Sequence, residues 1–277
     1  MAFTDDLEAL IQSGFDLPFE VRAGTVIPAV TDIVLSQNAG REIDLAMLFI
    51  DIRSSTLIVD GFRRTTAAKM YKAFISGVTR IIRNNGGEVA SFNGDGVLAA
   101  FAGDMRITIA AKTALNLSWL CTQVLRPRLR SYFERNLQLA DVEFDFGIGV
   151  DCGRVLVVRA GMGGTNNNDL VWVGNATNYA VKLAGWARDP YNVYVFEPFY
   201  EEVEASSRVN PDNPYQLMWE RDPSNQYLWR SNWWWKPTSN STSGSLAALM
   251  GLYPPLNSPP TGPRLRLPPV PPPVRDR

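Results

Sequence analysis

The chain has 277 residues, of which 45% are hydrophobic, and a formal net charge of −1. This length suits one large domain, or one domain with appended segments. The nearly neutral charge argues against a nucleic-acid partner or an acidic membrane surface. The acidic N-terminus lacks the pattern of a signal peptide, and no apolar run is long enough to span a membrane. We therefore expect a cytoplasmic protein.

The sequence contains no histidine. This excludes Ser-His-Asp and Cys-His catalysis, and it excludes a metal site built on imidazole. The two cysteines, Cys121 and Cys152, stand alone without the spacing of metal ligands. A metal site would have to use carboxylate and carbonyl oxygens, which favour Mg²⁺ or Mn²⁺.

Apolar spacing in residues 2–13 predicts a short amphipathic helix, and the proline-containing residues 14–43 are predicted to be irregular. Residues 44–51, DLAMLFID, form a nearly continuous apolar run that ends in an acid, which is typical of a buried central strand. The following Ser-Ser-Thr at 54–56 suits a tight turn or a helix start.

A helical apolar stripe over residues 65–85 ends at Asn85-Gly86-Gly87. Two β-rich runs within 88–101 flank Asn-Gly-Asp-Gly, a strong hairpin signal. A helix is predicted over 104–125, bent or ended by Pro127. A strand over 142–150 is predicted to turn at Gly153 and to pair with a second strand over 154–158. A loop over 161–168, a helix over 175–188 and a strand over 191–196 follow.

This order, β-α-β-β-α-β followed by α-β, predicts an α+β domain of the ferredoxin-like, split βαβ type over residues 44–236. Residues 1–43 are predicted to be a helical and irregular extension. Residues 237–277 are rich in serine and proline and cannot bury a core, so a mostly extended tail is predicted. Packing is the more typical role for a cluster of four tryptophans, Trp229, Trp233, Trp234 and Trp235.

Two carboxylates stand out by position, because Asp51 ends the buried strand and Asp95 lies at the hairpin tip. In a ferredoxin-like fold the first strand and the hairpin are neighbours, so the two side chains could meet and hold two divalent cations. Such a pair suits phosphoryl or nucleotidyl transfer. Taken alone, a strand-end acid is usually solvated, and an Asp in this tetrapeptide is usually a turn former.

Three segments resemble the class III nucleotidyl cyclases. LFIDIRSST resembles their first metal-binding segment, and GGEVASFNGDGVLAAF over 86–101 resembles their hairpin. VWVGNATNYAVKL over 171–183 resembles a third segment of the family, whose consensus is G-x-x-V-N-x-A-x-R-L. The three motifs occur in order across roughly residues 44–205, and the combination is more specific than any one of them.

The resemblance implies a role for each matching residue. Asp51 and Asp95 match the metal-binding aspartates, and Ile52 would add its carbonyl to one of two Mn²⁺ or Mg²⁺ ions. Asn178 matches the asparagine that orients the ribose. Lys182 stands where the family has an arginine that stabilises charge on the α-phosphate, so a bidentate contact becomes a point charge. Without the resemblance, Asn178 and Lys182 would be two residues one turn apart on an exposed helix face.

The resemblance further implies a homodimer whose active sites lie at the interface, with metals held by one subunit and the ribose by the other. The reaction would be attack of the ribose 3′-oxygen on the α-phosphorus, giving a 3′,5′-cyclic nucleotide and pyrophosphate. The backbone through Arg53, Ser54, Ser55 and Thr56 could offer N–H groups to the triphosphate.

The base-reading positions of the family hold Ser91 and Val171 here, with Trp172 beside them. Adenylate cyclases have a lysine and an aspartate or threonine at these positions, and guanylate cyclases have a glutamate and a cysteine. Neither of these purine-reading patterns is present. This resembles the pyrimidine cyclases of bacterial anti-phage (Pycsar) systems, whose cyclic UMP or cyclic CMP activates a separate effector. The resemblance implies UTP as substrate, with CTP next. A divergent adenylate cyclase, a non-catalytic cyclase-like binding module and a polymerase-palm relative are the alternatives.

Overall fold

The chain folds around a central β-sheet. The computed structural model describes residues 3–53, 55–135, 144–162 and 167–238. The helices are α1 (Phe3–Asp16), α2 (Ser55–Gly61), α3 (Arg64–Asn84), α4 (Arg106–Trp119), α5 (Arg126–Arg135), α6 (Asn175–Trp186) and α7 (Glu197–Glu202). The strands are β1 (Glu20–Ala23), β2 (Ala39–Arg53), β3 (Glu88–Asn93), β4 (Gly96–Phe101), β5 (Asp145–Gly161), β6 (Asn168–Val173), β7 (Val193–Phe196), β8 (Val209–Asn210), β9 (Asn213–Leu217), β10 (Glu220–Arg221) and β11 (Leu228–Ser231).

The heart of the sheet has the strand order β5-β2-β4-β3, and each neighbouring pair is antiparallel. Helix α3 connects β2 to β3, and α4 with α5 lies between β4 and β5 along the chain. This is the βαββαβ arrangement of a ferredoxin-like domain, so the predicted α+β class is confirmed. Strands β7, β11 and β10 extend the sheet beyond β5.

The two faces of β2 bury different cores, because successive residues of a strand point to opposite sides. One face packs against α3 and α4 through Ala46, Leu48, Ile50 and Ile52. The other face packs with residues of α6 through Ile43, Leu45, Met47 and Phe49. Asp51 continues the second series, so the strand directs its side chain toward the α6 side of the sheet.

Helix α6 lies unusually close to β5. A Cβ at Gly149 would stand 2.1 Å from the carbonyl oxygen of Ala180 and 2.4 Å from the nitrogen of Ala184. A Cβ at Gly147 would stand 2.3 Å from the Ala184 oxygen. Since real side chains do not tolerate such distances, these glycines set the height of α6 above the sheet.

The predicted turn at Gly153 is wrong. Strand β5 runs without interruption through this residue, and Gly153 pairs with Leu45 in the middle of its ladder with β2. The Asp151-Cys152-Gly153 sequence has turn-like residues, but β2 is 15 residues long and supplies a pairing partner on both sides of them. The two predicted strands are therefore one strand, opposite a β2 that is longer than the predicted 44–51.

Pro127 does not end the helical segment that begins with α4. A π-helical segment, Leu120–Leu125, follows α4, and α5 then continues to Arg135. Proline removes one backbone donor and crowds the carbonyl four residues earlier, and the wider π turn before it accommodates both effects. The predicted helix over 104–125 is thus only the first part of a longer helical segment.

Several strands were not expected from the sequence. Strand β1 lies in the segment predicted to be irregular and pairs in parallel with the start of β2. Strand β6 pairs with the second half of β5. The hairpin over 88–101, the helices near 2–13, 65–85 and 175–188, and the strand near 191–196 are confirmed with small changes at their ends. The predicted tail lies outside the described residues from 239 onward.

Candidate active site

Asp51 lies near the end of β2 and is half-buried. Burial, as the largest cause, and the nearby Asp95 charge together raise the pKa of its carboxyl from 3.8 to about 6, while the Arg53 charge opposes the shift. Two carboxylates this close repel each other when both are ionised. The fold therefore brings Asp51 and Asp95 together, as the sequence predicted, and holds them in a position that favours bound positive charge.

Asp95 occupies the two-residue turn between β3 and β4. Gly94 adopts φ +64°, a conformation that favours glycine and is typical of tight hairpin turns. The Oδ2 atom of Asp95 is buried and accepts no hydrogen bond from the described residues. A buried carboxylate oxygen without a donor is costly, so this atom has the free lone pairs that a cation would use.

The two aspartates fit hard divalent cations, because they supply carboxylate oxygens and one of these oxygens has no other partner. In the described part of the chain no group of three or more acidic or thiol side chains is placed to hold a metal ion. The remaining ligands would be a main-chain carbonyl, water and substrate phosphates. The Ile52 side chain is buried in the core, which leaves only its main chain available to such a site.

The prediction for Arg53 concerned its main-chain N–H and stays a prediction, while the structure shows where its side chain lies. Its guanidinium lies against Gly147, where an added Cβ would stand 2.3 Å from Nη2, and the same point is 2.3 Å from the Ala184 oxygen in α6. Nε and Nη2 are buried and have no hydrogen-bond partner among the described residues. Burial lowers the pKa of Arg53, and the Arg188 charge adds to this. The side chain thus fills the space between the strand of Asp51 and α6.

The segment after Arg53 does begin a helix, since α2 starts at Ser55. Ser54 lies outside the described residues, and Thr56 is exposed. The hydroxyl of Tyr71, in α3, donates to the Ser55 carbonyl oxygen at 3.3 Å. Binding of a triphosphate by the main chain of this segment stays a prediction.

Tyr71 is a residue of this site that the sequence did not reveal. Burial raises the pKa of its hydroxyl, and the charges of Asp95 and Asp51 raise it further. In the sequence it is one apolar position of a helical stripe. Only the packing of α3 across the sheet places it beside the carboxylate pair.

Asn178 and Lys182 lie one turn apart on α6 and are exposed. The Lys182 ammonium is 5.4 Å from the centre of the Tyr179 ring. Among the described residues no hydrogen bond or ion pair connects Asn178 or Lys182 with Asp51 or Asp95. Within one chain the structure therefore presents a carboxylate pair and a separate exposed asparagine–lysine pair.

The predicted base-reading residues do not share one face. Val171 and Trp172 are successive residues of β6, so they point to opposite sides. Trp172 is 8% exposed and packs in the α6-side core, and its Nε1 is buried without a partner in the described residues. Val171 is 45% exposed. Ser91 follows a register shift in β3 and accepts a weak 3.4 Å hydrogen bond from Asn93.

Known proteins resemble this chain along most of its length. A uridylate cyclase of Rhodovulum sp. (strain MB263) is 30% identical over 244 residues, which cover 87% of this chain and 100% of that protein. A uridylate cyclase of Xanthomonas perforans is 30% identical over 85% of this chain and 99% of its own length. One from Burkholderia cepacia is 29% identical with the same two coverages. No family model matches the chain.

Solved structures share the fold. The guanylyl cyclase Cya2 superposes with a TM-score of 0.54 at 16% identity, covering 72% of this chain and 96% of its own. The adenylyl cyclase CyaB from P. aeruginosa gives 0.51 at 17% identity over 59% and 81%. At these identities the likeness concerns the fold alone. No helix in the described residues has both the length and the apolar character needed to cross a membrane.

Proposed function

Because the chain belongs to the class III nucleotidyl cyclase family and its relatives include uridylate cyclases, we propose that it converts UTP to 3′,5′-cyclic UMP and pyrophosphate. The observation that carries the cyclase reaction is the Asp51–Asp95 pair, in which like charges lie close together and one buried oxygen has no donor. CTP is the second candidate substrate.

In the proposed reaction the ribose 3′-oxygen forms a bond to the α-phosphorus, and the bond from that phosphorus to the pyrophosphate oxygen breaks. Two divalent cations, Mn²⁺ or Mg²⁺, would supply charge neutralisation at the phosphates and favour ionisation of the hydroxyl. Asp51 and Asp95 would hold them, with the Ile52 carbonyl as a further ligand. The Asp51 carboxylate is the candidate acceptor of the 3′-proton.

The roles proposed for Asn178 and Lys182 rest on the match of α6 to the cyclase motif. Asn178 would orient the ribose by hydrogen bonds, and the Lys182 ammonium would stabilise the negative charge that grows on the α-phosphate. Both side chains are exposed, so they are accessible to a ligand or to a second subunit. We propose that they act on substrate held by the carboxylate pair of the partner chain in a homodimer.

The proposed preference for pyrimidines rests on Ser91 and Val171. A serine offers one short hydroxyl and a valine offers none, so this edge of the site lacks the donors and acceptors that read a purine. Ser91 is half-buried and only weakly engaged by Asn93, and Val171 is accessible. Trp172 would support the position of Val171 from the opposite side of β6.

Identification of the product tests the substrate. The purified chain is incubated with Mn²⁺ and, separately, with UTP, CTP, ATP or GTP, and products are identified by mass spectrometry. We expect cyclic UMP as the main product. Preference for ATP would refute the pyrimidine assignment and leave the reaction class in place, whereas no cyclic product from any of the four would refute the enzymatic proposal.

Complementation tests the shared site. Asp51→Ala and Asn178→Ala chains are each expected to be inactive, and their mixture should regain activity because one site per heterodimer is intact. Two differently tagged chains allow heterodimers to be isolated before the assay. Proven heterodimers without restored activity would contradict sites at the interface.

We also propose that the cyclic nucleotide is a second messenger in bacterial anti-phage defence, read by a separate effector protein. This rests on the resemblance to Pycsar cyclases and on the uridylate cyclase relatives. Expression of wild type and of Asp95→Asn together with an effector that responds to cyclic UMP, followed by phage challenge, tests it. Equal protection by both chains would contradict a messenger role.

A further inference from the structure

A tryptophan-lined groove lies away from the candidate active site and has no role in the proposed reaction. It is bounded by the turn between β8 and β9, with Pro211 and Asp212, and by the extended segment 232–236, with Met218 at its base. Its volume is about 550 Å³, which is within the range of ligand-binding pockets. We call it the tryptophan groove.

The wall of the tryptophan groove is held in place by the core. The main-chain N–H of Trp235 donates to the Leu115 carbonyl oxygen at 3.0 Å, and the Asn116 side-chain amide donates to the main-chain carbonyl oxygen of Trp235 at 2.7 Å. Trp235 packs partly against the α3/α4-side core, and so does Trp233. Trp234 stands between them with 45% of its surface exposed. The main chain on both sides of Trp234 is thus anchored, since the Trp233 N–H also donates to the Ser231 hydroxyl, and its exposed indole is presented from a positioned segment, which lowers the entropic cost of binding.

Proline-rich peptides suit such a surface. They favour an extended polyproline II conformation that leaves carbonyl groups free and has little entropy to lose, and aromatic-lined grooves recognise them. This chain contains such a sequence, LPPVPPP at residues 267–273, flanked by arginines at 264, 266, 275 and 277. Asp212, exposed at the edge of the groove, has the opposite charge to these arginines, and Lys236 lines the same groove.

We propose that residues 267–273 of the same chain occupy the tryptophan groove, with proline rings on Trp234 and a flanking arginine beside Asp212. One wall of the groove, residues 232–236, precedes the last described residue, Thr238, by only a few positions. About 30 residues separate Thr238 from Pro268, and a random coil of 30 residues has a root-mean-square end-to-end distance of roughly 30 Å. A tether of this kind gives an effective concentration in the millimolar range, which favours the chain's own segment over a separate partner.

Fluorine NMR on the full chain tests this proposal independently of catalysis. The protein is labelled with 5-fluorotryptophan, and the Trp234 resonance is assigned with Trp234→Phe. A full-chain variant with alanine at the five prolines of 267–273 should shift the Trp234 resonance. Trp186, 42% exposed on α6, is the matched reference and should not move. An unchanged Trp234 resonance, or a change at Trp186 alone, would overturn the proposal.

A synthetic peptide of residues 264–277 then gives a binding measurement. Added to the alanine variant, it should return the Trp234 resonance to the wild-type position. Measured by the fluorescence anisotropy of a labelled peptide, Trp234→Ala in that variant should weaken peptide binding at least tenfold, and Tyr215→Ala, which removes a 91% exposed ring outside the groove, should change it less than twofold. A wild-type Trp234 resonance that moves with protein concentration would show that a second chain or another protein is the occupant, and would overturn the same-chain assignment.

Discussion

Asp151 offers a quantitative test of the structure, because a buried acid makes stability depend on pH. It lies opposite Met47 in the β2–β5 pair and is only 9% exposed. Burial raises the pKa of its carboxyl from 3.8 to about 7, with a hydrogen bond from the main chain at Cys152 opposing the shift. Asp151→Asn removes the charge, retains an oxygen acceptor and has nearly the same shape.

The sign follows from proton binding. Between the unfolded pKa of 3.8 and the folded pKa of about 7, the folded state holds a proton that the unfolded state has lost. The stabilisation that the raised pKa provides is fully present below pH 3.8 and is lost as the pH rises through 7. Asp151 therefore makes the wild type progressively less stable than Asp151→Asn over this window. The difference between the two proteins should grow by about 2–3 kcal/mol from pH 5 to pH 8.

Urea unfolding of both proteins at pH 5, 6, 7 and 8 provides the measurement, since other titrating groups cancel in the difference. We expect Asp151→Asn to be more stable at pH 8 and its advantage to shrink steadily toward pH 5. A pH-independent difference, or an advantage that grows at low pH, would refute the burial of an ionisable Asp151 in this position. Asp104→Asn, at an exposed carboxylate, should show no such trend.

Two further predictions concern α6. In urea unfolding, Gly149→Ala should lower the free energy of unfolding by at least about 2 kcal/mol, because the new Cβ would meet the α6 backbone. The Cβ of Gly185→Ala meets nothing within 4 Å, so this variant should raise the free energy of unfolding by about 0.5–1 kcal/mol. Equal effects would contradict the close approach of α6. Lys182→Arg should raise kcat for cyclic nucleotide formation by roughly 3- to 10-fold, because arginine can make a bidentate contact with the phosphate. The control Lys69→Arg should leave kcat unchanged. A lower kcat of Lys182→Arg would contradict the assigned role of Lys182.

The core of the fold could be predicted because its signals are local. A continuous apolar run identified β2, and Asn-Gly-Asp-Gly identified the hairpin with Asp95 at its tip. The turn at Gly153 failed for the opposite reason. Its local residues are turn-like, and only the long partner strand β2 keeps β5 extended through them.

In the candidate site, too, some features follow from local sequence and others depend on distant segments. The pairing of Asp51 with Asp95 follows from neighbouring strands, which a fold class is enough to predict. The burial of the Arg53 guanidinium against Gly147 and the position of Tyr71 beside the acids depend on how helices pack over the sheet. Sequence periodicity contains no information about such contacts between distant segments. The opposite orientations of Val171 and Trp172 depend only on the strand β6, which was not predicted.

The most direct test of the central claim is the initial rate of cyclic UMP formation from UTP in Mn²⁺ by wild type and by Asp95→Asn. The turn that holds Asp95 would keep its shape with asparagine, so circular dichroism should match the wild type, and stability should be no lower because the repulsion between Asp51 and Asp95 is removed. We predict that Asp95→Asn loses at least a hundredfold in rate, while Asp104→Asn, an exposed carboxylate at the other end of β4, stays within twofold. Undiminished cyclic UMP formation by a folded Asp95→Asn protein would contradict the account.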